Sequence, residues 1–380
     1  MKSQKLIAKI FIGVFVAMLC APSIEQAFNI VPIDPVVESR AKVPLPPGNP
    51  LVELWQGQGY FSDYEKHFND VFGFRDFFIR SRNQIQYSIF HDSDQIIVGR
   101  DGWLVDKPSV DVEQRTVDAL SEADWKTLAG RLTHLNRILR HKGIYFLVIP
   151  VPFKNTVYPE FFPETTARRP AITGYARFVQ LLADNDVPFV DAYGILEKHK
   201  SVGVYYRTDL HWNVLGAKLV AVQTVDQLAR ALGRNVHWRY PDTTTLQPLV
   251  GGVDGNDLAI FWPPQDINAV PFAPGDSCGP TTSENTPWAD ASFVNHCHGP
   301  VFPPALFLGN SFALQMKAAG LQDHFAKVTR VYDIQHFGNL LADIRPGMKI
   351  VIWQNFELEI GYQMQNDDFW RDVDSYRDPR

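Results

Sequence analysis

A serine at the junction of an apolar run and a helix start is the side chain best placed to do chemistry in this chain. Ala305-Leu-Phe-Leu-Gly-Asn-Ser-Phe312 reads as a buried strand ending at Gly309, with a helix from Phe312 to Ala319 and Ser311 in the turn between them. A hydroxyl there is presented rather than buried, and the first N–H groups of the helix face any negative charge forming beside it. Hydroxyls at helix starts also serve as plain caps, so the turn supports two readings, nucleophile or cap. A serine nucleophile needs a base, and the base an orienting acid. Thr208-Asp209-Leu210-His211-Trp212-Asn213 holds both. In an extended segment residues two apart share a side, so Asp209 could orient the His211 ring through one nitrogen and leave the other as the base. In the competing reading Asp209 caps a helix that begins near Val214, and His211 is a partly buried ring with one hydrogen bond.

Such side chains need a rigid frame, and the body of the chain alternates helix and strand signals. Ser121-Glu-Ala-Asp124 is a capping start, Leu128, Leu132, Leu135 and Leu139 continue a helix, and Gly143 ends it before the apolar strand Ile144 to Ile149. The cycle recurs with Gly174 to Asn185 before Val187 to Val190, and with Val214 to Leu232, which stops at Gly233. Further strands are expected at Leu306 to Leu308, Val328 to Tyr332 and Lys349 to Trp353. This rhythm predicts an α/β doubly wound parallel sheet, whose sites form beyond the carboxyl ends of strands. Ser311 follows one such end. Residues 243–304 break the rhythm with Pro, Gly and Asp and read as a long loop insertion near the site mouth, its aromatics Phe261, Trp262 and Trp288 anchoring the loop or stacking on a sugar.

The N-terminal part differs in kind. Lys2 and Lys5 precede an apolar run from Leu6 to Ala21 closed by Pro22, the pattern of an export signal, so residues 1–28 are expected to be a signal-anchor or a signal peptide. Residues 29–59, proline-rich from Asn29 to Pro50, follow as a linker, and residues 60–95, with Phe68, Phe72, Phe78, Ile79 and Ile85 at helical spacing, as a helical extension of a domain covering 60–380. Arg75 and Arg80 within it read as surface or structural ion pairs. An oxidising compartment makes Cys278 and Cys297 a candidate disulfide. A metal site built from Cys278, His296, Cys297 and His298 is disfavoured, because adjacent ligands do not converge readily on one tetrahedral ion. The net charge of −6 in 380 residues, without blocks of like sign, argues against a nucleic-acid surface.

Together the serine turn and the Asp-x-His-Trp-Asn run resemble the SGNH-hydrolase-like proteins of the alginate O-acetyltransferase family, the AlgJ and AlgX type. Four further stretches carry the resemblance in the family's order: Phe68-Asn-Asp-Val-Phe-Gly-Phe-Arg-Asp76, Val98-Gly-Arg-Asp-Gly-Trp-Leu104, Ile149-Pro-Val-Pro-Phe-Lys-Asn-Thr-Val-Tyr-Pro159 and Ile350-Val-Ile-Trp-Gln354. The resemblance implies an SGNH-hydrolase-like three-layer fold with Ser311 as nucleophile, His211 as base and Asp209 as orienting acid. The Asp-x-His pair lies upstream of the serine, whereas ordinary SGNH esterases run in the opposite order. Gly309-Asn310-Ser311 departs from the Gly-Thr-Ser or Gly-Asp-Ser expected of the turn. Asn310, Asn213 and the Gly102 and Lys154 loops are the candidates for oxyanion or substrate contacts, with Lys154 serving either an anionic sugar or a salt bridge.

The implied activity is transfer of an acetyl group through an acyl-serine to hydroxyls of an exported polysaccharide, with no cofactor and no metal. Its setting would be the periplasm, anchored to the inner membrane beside a membrane-bound acetyl-donor protein of the membrane-bound O-acyltransferase type. Two alternatives share the motif: a periplasmic carbohydrate acetylesterase, and a non-catalytic polysaccharide-binding subunit of an export complex.

Overall fold

A computed structural model describes residues 2–36, 41–48, 52, 59–166, 173–240, 245–250, 252–270, 282–286, 289–294, 299–332 and 337–377. The chain divides into two compact units, residues 1–94 with 256–263, and residues 95–255 with 264–380. Residues 60–94 thus group with the N-terminal helix rather than with the sheet.

In the first unit, α1 (Lys2–Phe28) runs through Pro22 instead of ending there. Its 27 residues at about 1.5 Å each give about 40 Å, longer than a hydrocarbon core of about 30 Å. An 18-residue window within Gln4–Phe28 has a mean hydropathy of 2.2, and none of that window is buried. Two further helices, α2 (Tyr60–Val71) and α3 (Arg75–Ile85), meet at a corner where Phe74 takes a left-handed conformation, and α3 continues as a π-turn to Phe90. Residues 41–48 hold neither helix nor strand. They are pinned to α2 where Val43 N–H donates to the Asp70 carboxylate at 2.9 Å and the Val43 carbonyl meets His67 Nδ1 at 2.8 Å.

The second unit is built on a six-stranded sheet. A small antiparallel pair, β1 (Ile96–Val98) and β2 (Leu104–Asp106), leads into α4 (Lys107–Thr116) and α5 (Glu122–His141). Ser121 and Asp124 close a reciprocal capping box at the start of α5, the arrangement their spacing predicts. Next come β3 (Tyr145–Val151), α6 (Gly174–Asp184), α7 (Ala192–His199) and α8 (Val214–Leu232), which Gly233 ends at φ +59°. Strands β4 (Thr245–Val250), β5 (Gln265–Val270), β6 (Thr282–Thr286) and β7 (Ala289–Val294) follow. The chain then forms β8 (Ala305–Gly309), α9 (Phe312–Ala318), β9 (Lys327–Val331), β10 (Ile350–Phe356) and α10 (Glu359–Gln365).

The sheet order is β3-β10-β8-β9-β7-β6. Its first four strands are parallel, as the helix–strand alternation predicts. Side chains alternate across a strand, so both faces of a parallel sheet need cover. Leu147, Ile149, Phe307, Ile350 and Ile352 pack in one core with Ala217, Val220, Ala221 and Val225 of α8. Phe146, Val148, Leu306, Leu308 and Trp353 pack in the other with Leu128, Leu132 and Leu135 of α5 and Phe178 of α6. This is the expected three-layer arrangement.

Two expectations are corrected. The long insertion is not loop alone: β4 and β5 pair with each other, while β6 and β7 extend the main sheet, β7 joining β9 antiparallel. Pairing of backbone groups defines these short strands, and their polar, Pro- and Gly-flanked sequence hides them from a reading based on hydrophobic pattern. Val187 to Val190 contributes a single bridge, Val148 to Phe189, rather than a full strand. The candidate disulfide pair Cys278 and Cys297 lies outside the described residues, as does Trp288.

Candidate active site

Ser311 stands where β8 turns into α9. Gly309 makes that turn possible, since a Cβ there would lie 2.8 Å from the Phe307 ring, 3.0 Å from Ala313 Cβ and 3.0 Å from Gln354 Oε1. Asn310 locks it: its side-chain oxygen accepts the Phe312 N–H at 2.9 Å, and its amide donates to Glu359 at 2.9 Å. Glu359 also accepts the Phe356 N–H at 3.1 Å, which ties the turn to the end of β10. From the other side Arg330 donates to the carbonyls of Gly309 and Asn310 at 3.2 and 2.7 Å. Ser311 occupies the cap position of α9, yet its side chain makes no capping hydrogen bond. Its Oγ lies 2.6 Å from His211 Nε2 instead.

His211 is held on its other nitrogen by Asp209, with Nδ1 to Oδ1 at 2.5 Å. The same Oδ1 accepts the backbone N–H of His211 at 2.9 Å. The two residues therefore meet through an Asx turn within a bent segment, not through the extended periodicity that predicts them on one side. Capping of the helix at Val214 falls to Asn213, whose Oδ1 accepts the Gly216 N–H at 2.9 Å. Asn213 Nδ2 donates to the Gly203 carbonyl at 2.8 Å and the residue is 1% exposed, so it anchors α8 and does not line the site. Trp212 Nε1 donates to the Phe312 carbonyl at 2.9 Å, and the His211 ring packs 4.5 Å from that of Phe312. Asp209, His211 and Trp212 thus link this bend to the Ser311 turn, while Asn213 anchors α8.

The bend carrying Asp209 is clamped from two directions. Asp266 on β5, only 2% exposed, accepts the N–H groups of Arg207 and Thr208 at 2.9 and 2.7 Å and the Thr208 hydroxyl at 2.8 Å. Thr208 Oγ1 accepts Gly252 N–H at 2.6 Å, and the Thr208 carbonyl accepts Gly255 N–H at 3.0 Å. On the other side, fully buried Lys154 donates to the carbonyls of Arg207 and Asp209 at 3.1 and 2.9 Å. Lys154 is therefore a brace behind the acid, since a wholly buried ammonium cannot also meet a sugar at the surface. The Asn310 side chain is likewise committed inside the turn, which leaves its backbone alone for any oxyanion contact. Gly102, at φ +77° and where an added Cβ would lie 3.5 Å from Pro264 Cβ, belongs to the β1–β2 connection and has no contact with these three side chains among those described.

Asp266, Gly252 and Glu359 take part in this architecture without a sequence signal. They lie 58, 44 and 49 positions from their partners Thr208, Thr208 and Asn310, and no local spacing marks them.

Comparison with known proteins agrees with the fold. The family described as SGNH hydrolase-like domain, acetyltransferase AlgX, matches residues 96–316. A protein named probable alginate O-acetylase AlgJ from Pseudomonas aeruginosa is 27% identical over 164 residues, covering 42% of this chain and 39% of that protein. Its counterpart of the same name from Azotobacter vinelandii is 26% identical over 208 residues, covering 53% of this chain and 50% of that protein. The chain thus spans half or less of the length of these curated relatives. The structure of Bacillus cereus PatB1 is 14% identical with a TM-score of 0.50, over 72% of this chain and 99% of that one, a likeness of fold. Since the family match runs over more than half of the sequence and takes in both the Asp209–His211 bend and the Ser311 turn, the chain belongs to the family of SGNH hydrolase-like domains described under the acetyltransferase AlgX.

Proposed function

We propose that this protein is an O-acetyltransferase that carries an acetyl group on Ser311 and passes it to hydroxyls of an exported polysaccharide. The observation that carries the reading is the unbroken relay from Asp209 Oδ1 through the His211 ring to Ser311 Oγ, at 2.5 and 2.6 Å. The names of the AlgJ relatives support the choice of acetyl group and polysaccharide.

In this mechanism His211 Nε2 takes the Ser311 proton as Oγ attacks the acetyl carbonyl carbon. Asp209 keeps Nδ1–H directed away from the serine and stabilises the imidazolium that forms. The Ser311 N–H is the first donor to the tetrahedral oxyanion. His211 then returns its proton to the departing donor oxygen, leaving acetyl-Ser311. A sugar hydroxyl enters, gives its proton to His211 and takes the acetyl group, and the imidazolium restores the serine proton. Water in place of the sugar would make the protein an esterase. The transferase is favoured by α1, which would hold the protein at the inner membrane, on the periplasmic side, beside a membrane-bound acetyl donor of the O-acyltransferase type.

With an acetyl ester donor labelled in the acetyl group and an oligosaccharide acceptor, the wild-type protein is expected to label the sugar, and Ser311→Ala to label nothing. Release of labelled acetate without a labelled sugar would favour the esterase. Unchanged polymer acetylation in cells carrying Ser311→Ala would remove the catalytic reading and leave the binding subunit.

A further inference from the structure

The helical unit exposes a connected aromatic surface. On α2, Phe61, Tyr64 and Phe68 sit at i, i+3 and i+7, one side of the helix, and are 48%, 42% and 40% exposed. Past the corner, Phe78, Ile85, Ile89 and Phe90 are 56%, 52%, 66% and 69% exposed. Rings link the two helices in series, Phe68 to Phe72 at 5.8 Å, Phe72 to Phe78 at 6.5 Å and Phe78 to Phe77 at 5.7 Å. The series continues through Phe261, 5.8 Å from Phe77, to Trp262, 6.0 Å further on and 75% exposed. Single apolar residues are ordinary on a water-facing surface, whereas a contiguous patch marks a partner.

Trp262 is not a loose tip. Gln84 Oε1 accepts the N–H groups of both Phe261 and Trp262 at 3.1 Å, and Arg80 donates to the Ile260 carbonyl at 2.8 Å. Arg80 also donates to the Asp34 carbonyl, at 3.1 Å from Nε and 3.0 Å from Nη2, so it is a structural tie of this unit.

The position of the patch identifies its partner. A Cβ on Gly73, in the corner between α2 and α3, would lie 2.0 Å from the Pro22 carbonyl and 2.8 Å from the Gln26 N–H. Only glycine lets the last turns of α1 seat there. Glu25, 7% exposed, then turns the chain by accepting the N–H groups of Ile30 and Val31 at 3.1 Å. The apolar helix therefore ends against the corner from which the aromatic series spreads. Trp, Tyr and Phe beside the end of a spanning helix suit the boundary between headgroups and acyl chains.

We infer that the exposed aromatic side of α2 and α3, together with Trp262, is a membrane-interface seat that lies in the lipid headgroup layer. The inference rests on reading α1 as a membrane span, and the two are separable. The full-length chain is reconstituted in phosphatidylcholine–phosphatidylglycerol vesicles with brominated or unbrominated acyl chains, and the emission of Trp262→Phe is subtracted from that of wild type. Trp262 is expected to lose most of its emission in the brominated vesicles. The combined variant Phe78→Ser, Ile89→Ser, Phe90→Ser, altered only at exposed positions, should lose that quenching. Equal Trp262 emission in the two vesicle types overturns the seat, whether the emission is water-like or shifted to the blue under a covering protein. Alkaline carbonate extraction decides about α1 independently: retention of the chain with unquenched Trp262 rejects the seat alone, and release of the chain rejects both.

Discussion

Three side chains carry the proposed chemistry, and two different signals mark them in the sequence. Asp209 and His211 form a short local motif, whereas Ser311 is marked by its place after an apolar strand. What the motif could not tell was how the pair meets. The Asx turn satisfies the His211 N–H and Nδ1 with one carboxylate oxygen, and the bond to Nδ1 fixes the tautomer. Asp209→Asn would present an amide where Nδ1 has an acceptor, favour the tautomer with hydrogen on Nε2, and deprive Ser311 of its base. Turnover of an acetyl ester is expected to fall by about 10⁴-fold with little change in KM, measured by initial rates. The roles of Lys154 and Asn310 are not marked in the sequence, because a charged or amide side chain held inside the fold has the same sequence as one aimed at a substrate.

At the scale of elements, the site depends on an arrangement that crosses long stretches of chain. The β4–β5 region supplies Asp266, and the connection between these strands supplies the Gly252 and Gly255 N–H groups, so the segment that reads as an irregular insertion holds the acid in position. A Cβ on Gly252 would lie 2.6 Å from both Asp209 Cβ and the Thr208 carbonyl oxygen. Gly252→Ala should therefore shift the bend and lengthen the Asp209–His211 contact. A displacement near 1 Å corresponds to a loss of about 10²-fold in kcat; steady-state kinetics with circular dichroism should show that loss with secondary structure retained. The parallel strands and their covering helices were readable because burial on both faces imposes long apolar runs. The antiparallel edge was not, since backbone pairing rather than apolar side chains defines β6 and β7.

At the scale of the molecule, the alternation of apolar runs and helices announces the sheet unit, while the grouping of residues 60–94 with α1 follows from contacts that no composition shift marks. Stability of the sheet unit is tied to pH through His324, whose ring stacks on Trp238 at 4.6 Å and accepts the Arg239 N–H at 3.1 Å. Burial pushes its pKa down to about 4. The unfolded chain binds a proton there below its ordinary value while the folded chain stays neutral, so this contribution is complete above about pH 6.5 and is lost as pH falls toward 4. The linkage amounts to about 3 kcal/mol. The melting temperature of wild type should drop more steeply between pH 7 and pH 4.5 than that of His324→Gln; parallel slopes would assign the acid sensitivity to other groups. Acylation of Ser311 is the central step of the proposed function. Mixing the full-length protein with an acetyl ester and no acceptor, then quenching within one turnover, allows intact-mass and peptide mass spectrometry to locate the acetyl group. One acetyl on Ser311, absent from Ser311→Ala and discharged when an oligosaccharide is added, is the predicted result. Acetylated sugar formed with Ser311 unmodified, or formed equally by Ser311→Ala, would contradict it.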